Sequence, residues 1–472
     1  MTDSTNIEFE KIPRSIRKPG VYTEYNNKDA VSTLPINEQE VLIIAPMLGG
    51  DSDFTKPVKV FSDVEAEKLF GAGSTAHLMS RQAISNNELI RLSVMGIRDH
   101  SAGIKASGSV TFNSTVTSAG LVTVAIAGKN YQIAAEKGEE ATAIASRLEA
   151  VINSSLYCPV VASTNEKVLT LTAKEKGEIG NEIALSAYTT AQSLDIELSA
   201  FSGGQRNAQI ESALASIAGK HYHIIISAFS DAENTKALRT HLENMSSPIE
   251  KKPAIGVLGF RGSLAQATTL GESLNSERLT IAWYKGAIES NAILAAGYGA
   301  VIAYEEDPAR PLNTLEIKGL TLTDDSQKPT FSEFNQALFN GVTPLEVVGP
   351  RVQIVRAITT YRKNVTGTDD PSWLDLTSIR TMDYVRKAVE TRLNLRFPRE
   401  KLHDKKVPKV RSEILDVLYR LEAVEIIENV DKHKKRLIVV RNPNDVNRVD
   451  TKIPSDVVNG LHVLANQIDL IL

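Results

Sequence analysis

Residues 203–303 alternate between short apolar runs and amphipathic stretches with a helical period. Apolar runs bounded by turn residues indicate buried strands, whereas apolar positions spaced three and four apart indicate helices that bury one face. The predicted strands are 223–228, 254–258 and 279–283, together with an earlier one at 41–45, and the predicted helices are 207–218, 231–245, 263–274 and 288–303. Strands that alternate with helices predict an α/β core, a layered sheet with helices on both faces.

Two further helices are predicted before this alternation begins, at 62–70 and 75–91. Ser62 and Ser74 stand immediately before them, where a serine hydroxyl can accept a hydrogen bond from a backbone N–H of the first turn. Gly71 follows the first helix and predicts its end. These signals add two helices to the first part of the core.

Residues 104–202 differ in texture, because Thr, Ser, Val, Ala and Gly dominate them. Apolar alternation on either side of 128–130 predicts a β-hairpin, and two more strands are predicted at 160–162 and 168–173. Between them, 139–153 predicts an amphipathic helix. Its predicted buried residues are Ala143, Ile144, Leu148, Val151 and Ile152. We therefore expect a β-rich α+β domain inserted into the core.

After the core, the pattern again mixes strands and helices. It predicts a strand pair within 347–360, helices at 378–394 and 412–428, and a strand at 437–441. We expect these elements to form a C-terminal α+β domain.

The two ends of the chain have no helical period. Residues 1–20 are polar and read as an extended arm, 20–25 are rich in β-forming residues, and 467–472 alternate loosely and are largely hydrophobic. The predicted organisation is an arm at 1–20, a discontinuous core domain at 21–103 and 203–345, an inserted domain at 104–202, a C-terminal domain at 346–466 and an arm strand at 467–472.

The net charge of −4 over 472 residues conceals an uneven distribution. Residues 1–350 hold 30 basic and 40 acidic residues, whereas 351–472 hold 23 basic and 17 acidic ones. The segment 351–411 alone has 15 basic and 7 acidic residues. Such a segment is either a solvated mixed-charge surface or a contact for nucleic acid, an anionic membrane or an acidic protein. The sequence lacks zinc-finger, basic-zipper and RNP-like motifs, and its interspersed carboxylates disfavour phosphate tracking.

The sequence carries no recognisable catalytic or metal-binding motif. P-loop, G-x-S-x-G and H-E-x-x-H patterns are all missing. His221 and His223 lie two apart at the start of a predicted strand without a third ligand cluster, so we interpret them as a pair at a strand end. We predict no catalytic, cofactor-binding or metal-ligating residue. The single Cys158, with no long apolar run and no recognisable signal sequence, fits a reducing compartment.

Short segments spread from residue 12 to residue 459 form a recognisable series. They are I-P at 12–13, R-K-P-G-V-Y at 17–22, K-G-E-I-G-N at 176–181, E-D-P-A-R-P-L at 306–312, R-A-I-T-T-Y at 356–361, W-L-D-L at 373–376, Y-V-R at 384–386, F-P-R-E-K-L at 397–402, N-R-V-D at 447–450 and P-S-D-V-V-N at 454–459. In this order they resemble the contractile phage tail sheath proteins of the Mu-like family. The chain departs from the family locally, where H-D-K-K-V at 403–407 replaces an A-D-D-G-like turn.

The resemblance implies a structural protein that polymerises into a helical sheath around a tail tube. Contraction by subunit repacking would drive the tube through the bacterial envelope for genome delivery, without enzymatic activity or a cofactor. The implied partners are further copies in stacked rings, the tail tube protein, and baseplate and tail terminator proteins, with no direct nucleic-acid contact and no membrane insertion. The implied location is the virion, as a phage tail sheath assembled in the host cytoplasm.

Two alternatives to this function remain. One is the sheath of a phage-derived bacteriocin or contractile injection particle. The other is a cytoplasmic α/β enzyme of unknown substrate, which would have a ligand pocket and would form discrete particles rather than tubes.

The resemblance also implies residue roles at the chain ends, because family members join neighbours through arms that add strands to shared sheets. The residues implied in inter-subunit strand addition are Val21, Tyr22, Thr23 and Tyr25 at one end and Ile468, Leu470 and Leu472 at the other. The alternative is that both segments pair within their own domain.

The family's domain arrangement implies further roles. The C-terminal domain would lie toward the tube, with tube contacts from Arg380, Arg386, Lys387 and Arg392. The inserted domain would face outward. Domains would reorient at Gly203-Gly204 and around 341–350.

Overall fold

The computed structural model of the chain describes residues 17–23, 34–51 and 56–471. Tyr25, Leu472 and most of the predicted arm at 1–20 lie outside the described residues. The chain divides into two compact units. The larger unit contains Asn37–Asp383 and Val457–Leu472, and the smaller unit contains Met1–Ile36 and Tyr384–Asp456.

The described residues form strands and helices in the following order. The strands are β1 (Glu40–Pro46), β2 (Val58–Lys59), β3 (Arg91–Ile97), β4 (Lys105–Asn113), β5 (Gly120–Ile126), β6 (Lys129–Ala135), β7 (Val160–Asn165), β8 (Val168–Lys176), β9 (Leu185–Thr189), β10 (Asp195–Ser202), β11 (Ile224–Ser227), β12 (Ile255–Phe260), β13 (Leu279–Trp283), β14 (Thr343–Val348), β15 (Arg351–Ile354), β16 (Ile427–Glu428), β17 (Ile438–Arg441), β18 (Val449–Lys452) and β19 (Asp456–Val457). The helices are α1 (Asp63–Phe70), α2 (Thr75–Asn86), α3 (Ala141–Ser154), α4 (Glu211–Ile217), α5 (Ala232–Met245), α6 (Leu264–Leu274), α7 (Asn291–Tyr304), α8 (Phe331–Phe339), α9 (Leu376–Arg396), α10 (Lys406–Ala423) and α11 (Val430–His433).

An eight-stranded sheet organises the larger unit, in the order β15-β14-β13-β12-β11-β1-β3-β2. Its central strands, from β3 to β14, pair in parallel, and an antiparallel strand stands at each edge. Strands β11 and β13 are buried along their whole length, which explains why their sequences read as continuous apolar runs. The alternation of strands and helices predicted for 203–303 is therefore present in the structure.

Local capping signals define the first two helices. The Ser62 side chain accepts a hydrogen bond from Glu65 N, and the Ser74 side chain accepts one from His77 N. Gly71 ends α1 at φ +85°, a conformation that side-chain-bearing residues rarely adopt. The second helix is shorter than predicted, because its last residue is Asn86 and the chain then turns into β3.

The inserted segment has its own core. A four-stranded sheet in the order β10-β4-β8-β7 and a three-stranded sheet in the order β6-β5-β9 pack with α3. Ile144, Leu148 and Ile152 of α3 are buried as predicted, since they recur every four residues on one helix face. Ala143 is exposed and Val151 is half-buried, so the prediction of a buried Ala143 was wrong.

The start of the predicted C-terminal domain at residue 346 does not coincide with a division in the structure. The β14–β15 hairpin extends the main sheet instead, and the division between the two units falls after Asp383, within α9. The R-A-I-T-T-Y segment is also tied to the main sheet, because Thr360 N donates to Leu279 O at 2.8 Å. Backbone pairing across distant sequence therefore sets this boundary.

The smaller unit is an α+β unit built around part of α9. Its core contains Val385, Ile414 and Leu418, packed with Leu437 and neighbouring residues. The helix predicted at 412–428 is α10, which begins and ends about five residues earlier. The strand predicted at 437–441 is β17, which pairs antiparallel with β18.

Parts of the two stretches expected to act as hinges are packed against neighbouring segments. The backbone at Gly204 is fixed by two hydrogen bonds. Its N–H donates to Asn181 Oδ1 at 2.9 Å, and the Asn181 amide donates back to Gly204 O at 3.0 Å. A Cβ atom on Gly204 would stand 2.4 Å from Gly177 O. The stretch 341–350 contains β14 and its turn. Gly203 has open space around it and residues 348–350 are exposed, so reorientation at these two places stays a prediction.

Candidate functional site

The C-terminal arm, defined here as residues 457–471, forms no helix and, apart from Val457 in β19, no strand in the described structure. Its large apolar side chains face solvent, with Ile468 exposed by 94% and Leu470 by 83%. Further exposed side chains in the arm belong to Leu461, Val463, Leu464 and Ile471. An extended apolar segment with unpaired backbone groups is a template for pairing with another chain. The strand predicted at 467–472 is thus absent from the single chain over 467–471.

His462 attaches the arm to the core of the larger unit. Its Nδ1 lies 2.9 Å from Asn313 Nδ2, which donates to it. Its Nε2 lies 3.5 Å from Asp375 Oδ1, and only 13% of its side chain is exposed. Two residues earlier, the arm passes so close to the core that a Cβ atom on Gly460 would stand 2.7 Å from Pro311 Cγ.

Three segments of the family series meet at this point. Arg356 of R-A-I-T-T-Y forms a bidentate ion pair with Asp375 of W-L-D-L, with both N–O distances at 2.8 Å. Pro311 belongs to the E-D-P-A-R-P-L segment. Burial lowers the pKa of His462, and the Arg356 charge lowers it further, against the opposing effect of Asp375. The arm therefore leaves the larger unit from a socket built by segments that are distant in sequence.

The described part of the N-terminal segment, 17–23, is also exposed and forms no strand. Val21 is almost fully exposed, and Tyr22 is partly exposed while its hydroxyl donates to Lys18 O at 3.0 Å. Thr23 is exposed as well. The strand predicted at 20–25 is thus not formed over 20–23 in the single chain.

Arg380, one of the four predicted tube contacts, is a buried structural residue. Only 7% of it is exposed, and its Nη2 donates to Glu305 O at 2.7 Å. Burial lowers its pKa to about 10, against the opposing charges of Glu305 and Asp307. Its guanidinium is therefore enclosed in the single chain, and the predicted tube contact of Arg380 would require it to be uncovered.

Arg392 is likewise buried, within the smaller unit. Its Nη1 lies 3.4 Å from Glu413 Oε2, and its Nη2 is hydrogen-bonded to Asp416. The two carboxylates neutralise its charge inside the unit, so the predicted tube contact of Arg392 would require these ion pairs to break. The helical sequence alone does not show which of these arginines the fold encloses.

The other two predicted tube contacts are half-buried. Arg386 pairs with Glu390 one helical turn away, with an N–O distance of 3.3 Å. Lys387 Nζ donates to Ile36 O at 2.8 Å. Both side chains keep part of their surface in solvent, so they stay available for weak contacts at the surface of the smaller unit.

A more exposed group of cations lies between the end of α9 and the first turn of α10, and we call it the basic loop. It consists of Arg399, Lys401, Lys405 and Lys409, all exposed and none in an ion pair with another described residue. Sequence reasoning counted these residues in the basic segment but did not single them out. Their density within residues 399–409 was the available signal.

The smaller unit also presents a two-stranded ribbon, β17–β18, with a free edge on each side among the described residues. Ile438 and Val440 of β17 are each about half exposed and lie on the same face, because they are two residues apart in a strand. A two-stranded ribbon is marginal by itself. This ribbon is therefore suited to accept a further strand.

The inserted domain is joined to the core by the buried Glu175 and the half-buried Glu182, beside an open cavity of about 620 Å³. Glu175 accepts a hydrogen bond from Thr75 N at 2.8 Å, and Glu182 accepts one from Asn291 N at 2.9 Å, so each faces the first turn of a core helix. Burial raises the pKa of Glu175 to about 8 and that of Glu182 to about 7, against the opposing hydrogen bonds. These contacts hold the two parts of the larger unit together.

Metal and membrane chemistry find no support in the described residues. No group of three or more potential metal-ligating side chains is present among them, and none of their helices is long and apolar enough to span a membrane. His221 contacts Pro253 O through Nε2 at 2.8 Å, and His223 Nδ1 accepts from Glu40 N at 3.1 Å. The two histidines therefore join neighbouring segments at a strand end.

Comparison with known proteins agrees with these features. Residues 203–360 match a family model described as the phage tail sheath protein central domain, and 368–471 match the phage tail sheath C-terminal domain. The chain is 31% identical over 487 aligned residues to the Mu-like prophage FluMu tail sheath protein of Haemophilus influenzae, covering 99% of this chain and 100% of that protein.

Two solved structures share the fold at low sequence identity. A sheath tail protein from Desulfitobacterium hafniense superposes with a TM-score of 0.53 at 13% identity, covering 94% of this chain and 97% of that one. A sheath tail protein from Listeria innocua superposes with a TM-score of 0.52 at 14% identity, covering 91% and 94%. Together with the family models and the full-length relative, they show that this chain belongs to the phage tail sheath proteins, as a Mu-like contractile tail sheath protein.

Proposed function

We propose that the chain polymerises into a helical sheath around a tail tube and that the sheath contracts when its subunits repack. Its role as a structural protein of a contractile tail follows from its family. The observation that carries the polymerisation is the C-terminal arm, which exposes Ile468 and Leu470 without a strand partner among the residues that the structure describes. Such a segment is completed by another subunit.

Strand addition is the proposed means of joining subunits. Main-chain hydrogen bonds provide affinity and alternate side chains provide register. Ile468 and Leu470 would lie on one face of the added strand, as would Leu472. Val21 and Thr23 would do the same at the other end, with Tyr25 following them and Tyr22 on the opposite face. The β17–β18 ribbon of a neighbouring copy is the proposed acceptor, since both its edges are open.

Contact with the tail tube is proposed for the smaller unit. Arg386 and Lys387 are partly exposed, and the basic loop adds four exposed cations. An acidic tube surface would complement them. Exposed ion pairs are worth about 0–1 kcal/mol each, so such contacts position a ring of subunits and still break during contraction. The inserted domain is proposed to face away from the tube.

Contraction is proposed as a rigid-body switch between two packings of the lattice. Because many subunits change packing together, the free energy released per subunit is summed over the sheath. The arms keep neighbours linked while the units move. The proposed partners are further copies, the tube protein, and baseplate and terminator proteins, within a virion assembled in the host cytoplasm.

Electron microscopy of the purified chain, alone and with tube protein, tests this function. We expect striated tubes from the wild type and none after deletion of 467–472. The charge reversal Arg386→Glu/Lys387→Glu should weaken assembly on the tube and reduce its salt sensitivity. The matched control is Lys137→Glu/Lys236→Glu, a reversal at two exposed lysines of the larger unit. Discrete particles under all conditions, or equal effects of both reversals, would contradict the proposal.

A further inference from the structure

The environment of the C-terminal arm changes abruptly at His462. Residues 457, 458, 460 and 462 are partly buried, whereas every residue from 463 to 471 is exposed. His462 is the last arm residue with a recorded hydrogen bond to the core, through Asn313 Nδ2 at 2.9 Å. The arm is therefore attached up to this residue and free after it.

The socket around His462 is built by side chains that are themselves fixed. Asp375 is held by the bidentate pair with Arg356, so its carboxylate has a defined orientation toward the imidazole. The distance of 3.5 Å between His462 Nε2 and Asp375 Oδ1 is too long for a direct hydrogen bond, but it places the ring N–H near a negative charge. Both ring nitrogens therefore face groups of the larger unit.

We propose that His462 is the anchor of the C-terminal arm, a positioning residue that fixes where residues 463–471 leave the larger unit to reach a second copy of this chain. This inference rests on the proposed strand addition. Nine extended residues span about 30 Å, so the anchor sets the radius within which a neighbour's acceptor edge must lie. Neither Asn313 nor Asp375 contacts the neighbour in this scheme.

Release of the anchor would lengthen the free segment from residues 463–471 to residues 458–471, because Val457 belongs to β19. Effective concentration at a fixed target falls roughly as the −3/2 power of linker length. The lengthening from nine to fourteen residues thus lowers the effective concentration about twofold, and the arm also loses its defined starting direction.

A spin label measures attachment of the arm directly in the unassembled full chain. The native Cys158 is buried, so a nitroxide on Leu461→Cys or Ile468→Cys reports one site at a time. We expect the label at 461 to be immobilised and the label at 468 to be mobile. His462→Ala or Asn313→Ala should at least halve the rotational correlation time at 461 without changing that at 468. His462→Asn, which retains an acceptor, should restore part of the immobilisation.

The same substitutions without labels are then compared for assembly by sedimentation. His462→Ala should raise the critical concentration for tubes at least about twofold, whereas His241→Ala, a control on α5, should not. A label at 461 that is already mobile, or an anchor release that leaves the critical concentration unchanged, overturns the inference. A wild type that forms no tubes overturns the proposed function instead, while the label still decides whether His462 holds the arm.

Discussion

Truncation of the two apolar side chains near the end of the arm is the most direct perturbation of the proposed lattice. Ile468 and Leu470 are exposed by 94% and 83%, so almost all of their apolar surface is available for burial in a neighbour. They are two residues apart and would lie on the same face of an added strand. Ile468→Ala/Leu470→Ala removes both side chains and leaves the backbone able to pair.

The magnitude follows from the atoms removed. Each substitution deletes three carbon atoms, and burial of a methylene group is worth about 0.8 kcal/mol, which gives about 5 kcal/mol for the pair if both are fully buried in the lattice. Half that burial leaves about 2.5 kcal/mol per subunit. Since 1.4 kcal/mol is a factor of ten, the critical concentration for tubes should rise by almost two orders of magnitude.

Sedimentation over a concentration series measures this critical concentration. Leu89→Ala/Ile249→Ala is the matched control, because both of these side chains are 87% exposed and lie outside the arm. The unfolding midpoint of both variants should equal that of the wild type, since no core contact is lost. If Ile468→Ala/Leu470→Ala assembles at the wild-type concentration, apolar burial of the arm does not hold the lattice together.

Two predictions concern the larger unit itself. Glu175 and Glu182 have folded-state pKa values of about 8 and about 7, above the ordinary carboxyl value, so the folded state retains protons that the unfolded state has lost. The free energy of unfolding should therefore fall as pH rises from about 4.5 to about 8, and Glu175→Gln/Glu182→Gln should flatten that profile in denaturant titrations; superimposable profiles would contradict the assignment. Gly204→Ala should lower the free energy of unfolding by about 1–3 kcal/mol, because its Cβ would overlap Gly177 O, whereas Gly219→Ala, with open space around it, should have little effect.

Features that depend on local interactions could be predicted from the sequence, because those interactions span only a few residues. Ser62 and Ser74 cap helices as expected, since each cap bonds three residues ahead. The buried face of α3 could be predicted from the four-residue spacing of its apolar residues. Only Ala143, at the margin of that face, was misplaced. The family resemblance could be recognised in the same way, because each of its segments is a short run of residues.

The exposure of individual side chains could not be predicted in this way. Arg380, Arg386, Lys387 and Arg392 look alike along a basic helix, yet two of them are enclosed and two are partly solvated. The difference comes from Glu305 O, Glu413 and Asp416, which distant segments bring to the two enclosed guanidinium groups. A count of charged residues along the sequence does not show which partners the fold brings to each guanidinium group.

The sequence by itself determined the alternating α/β core, the inserted domain, the family and the apolar character of the arm, since each depends on residues that are close together in the sequence. Only the tertiary structure decided that the division between units falls after Asp383, that the basic loop carries the exposed cations, and that His462 holds the arm against Asn313 and Asp375. These features depend on contacts between residues far apart in the chain, which form only when the backbone of the R-A-I-T-T-Y segment pairs with β13 and places the socket beside the arm.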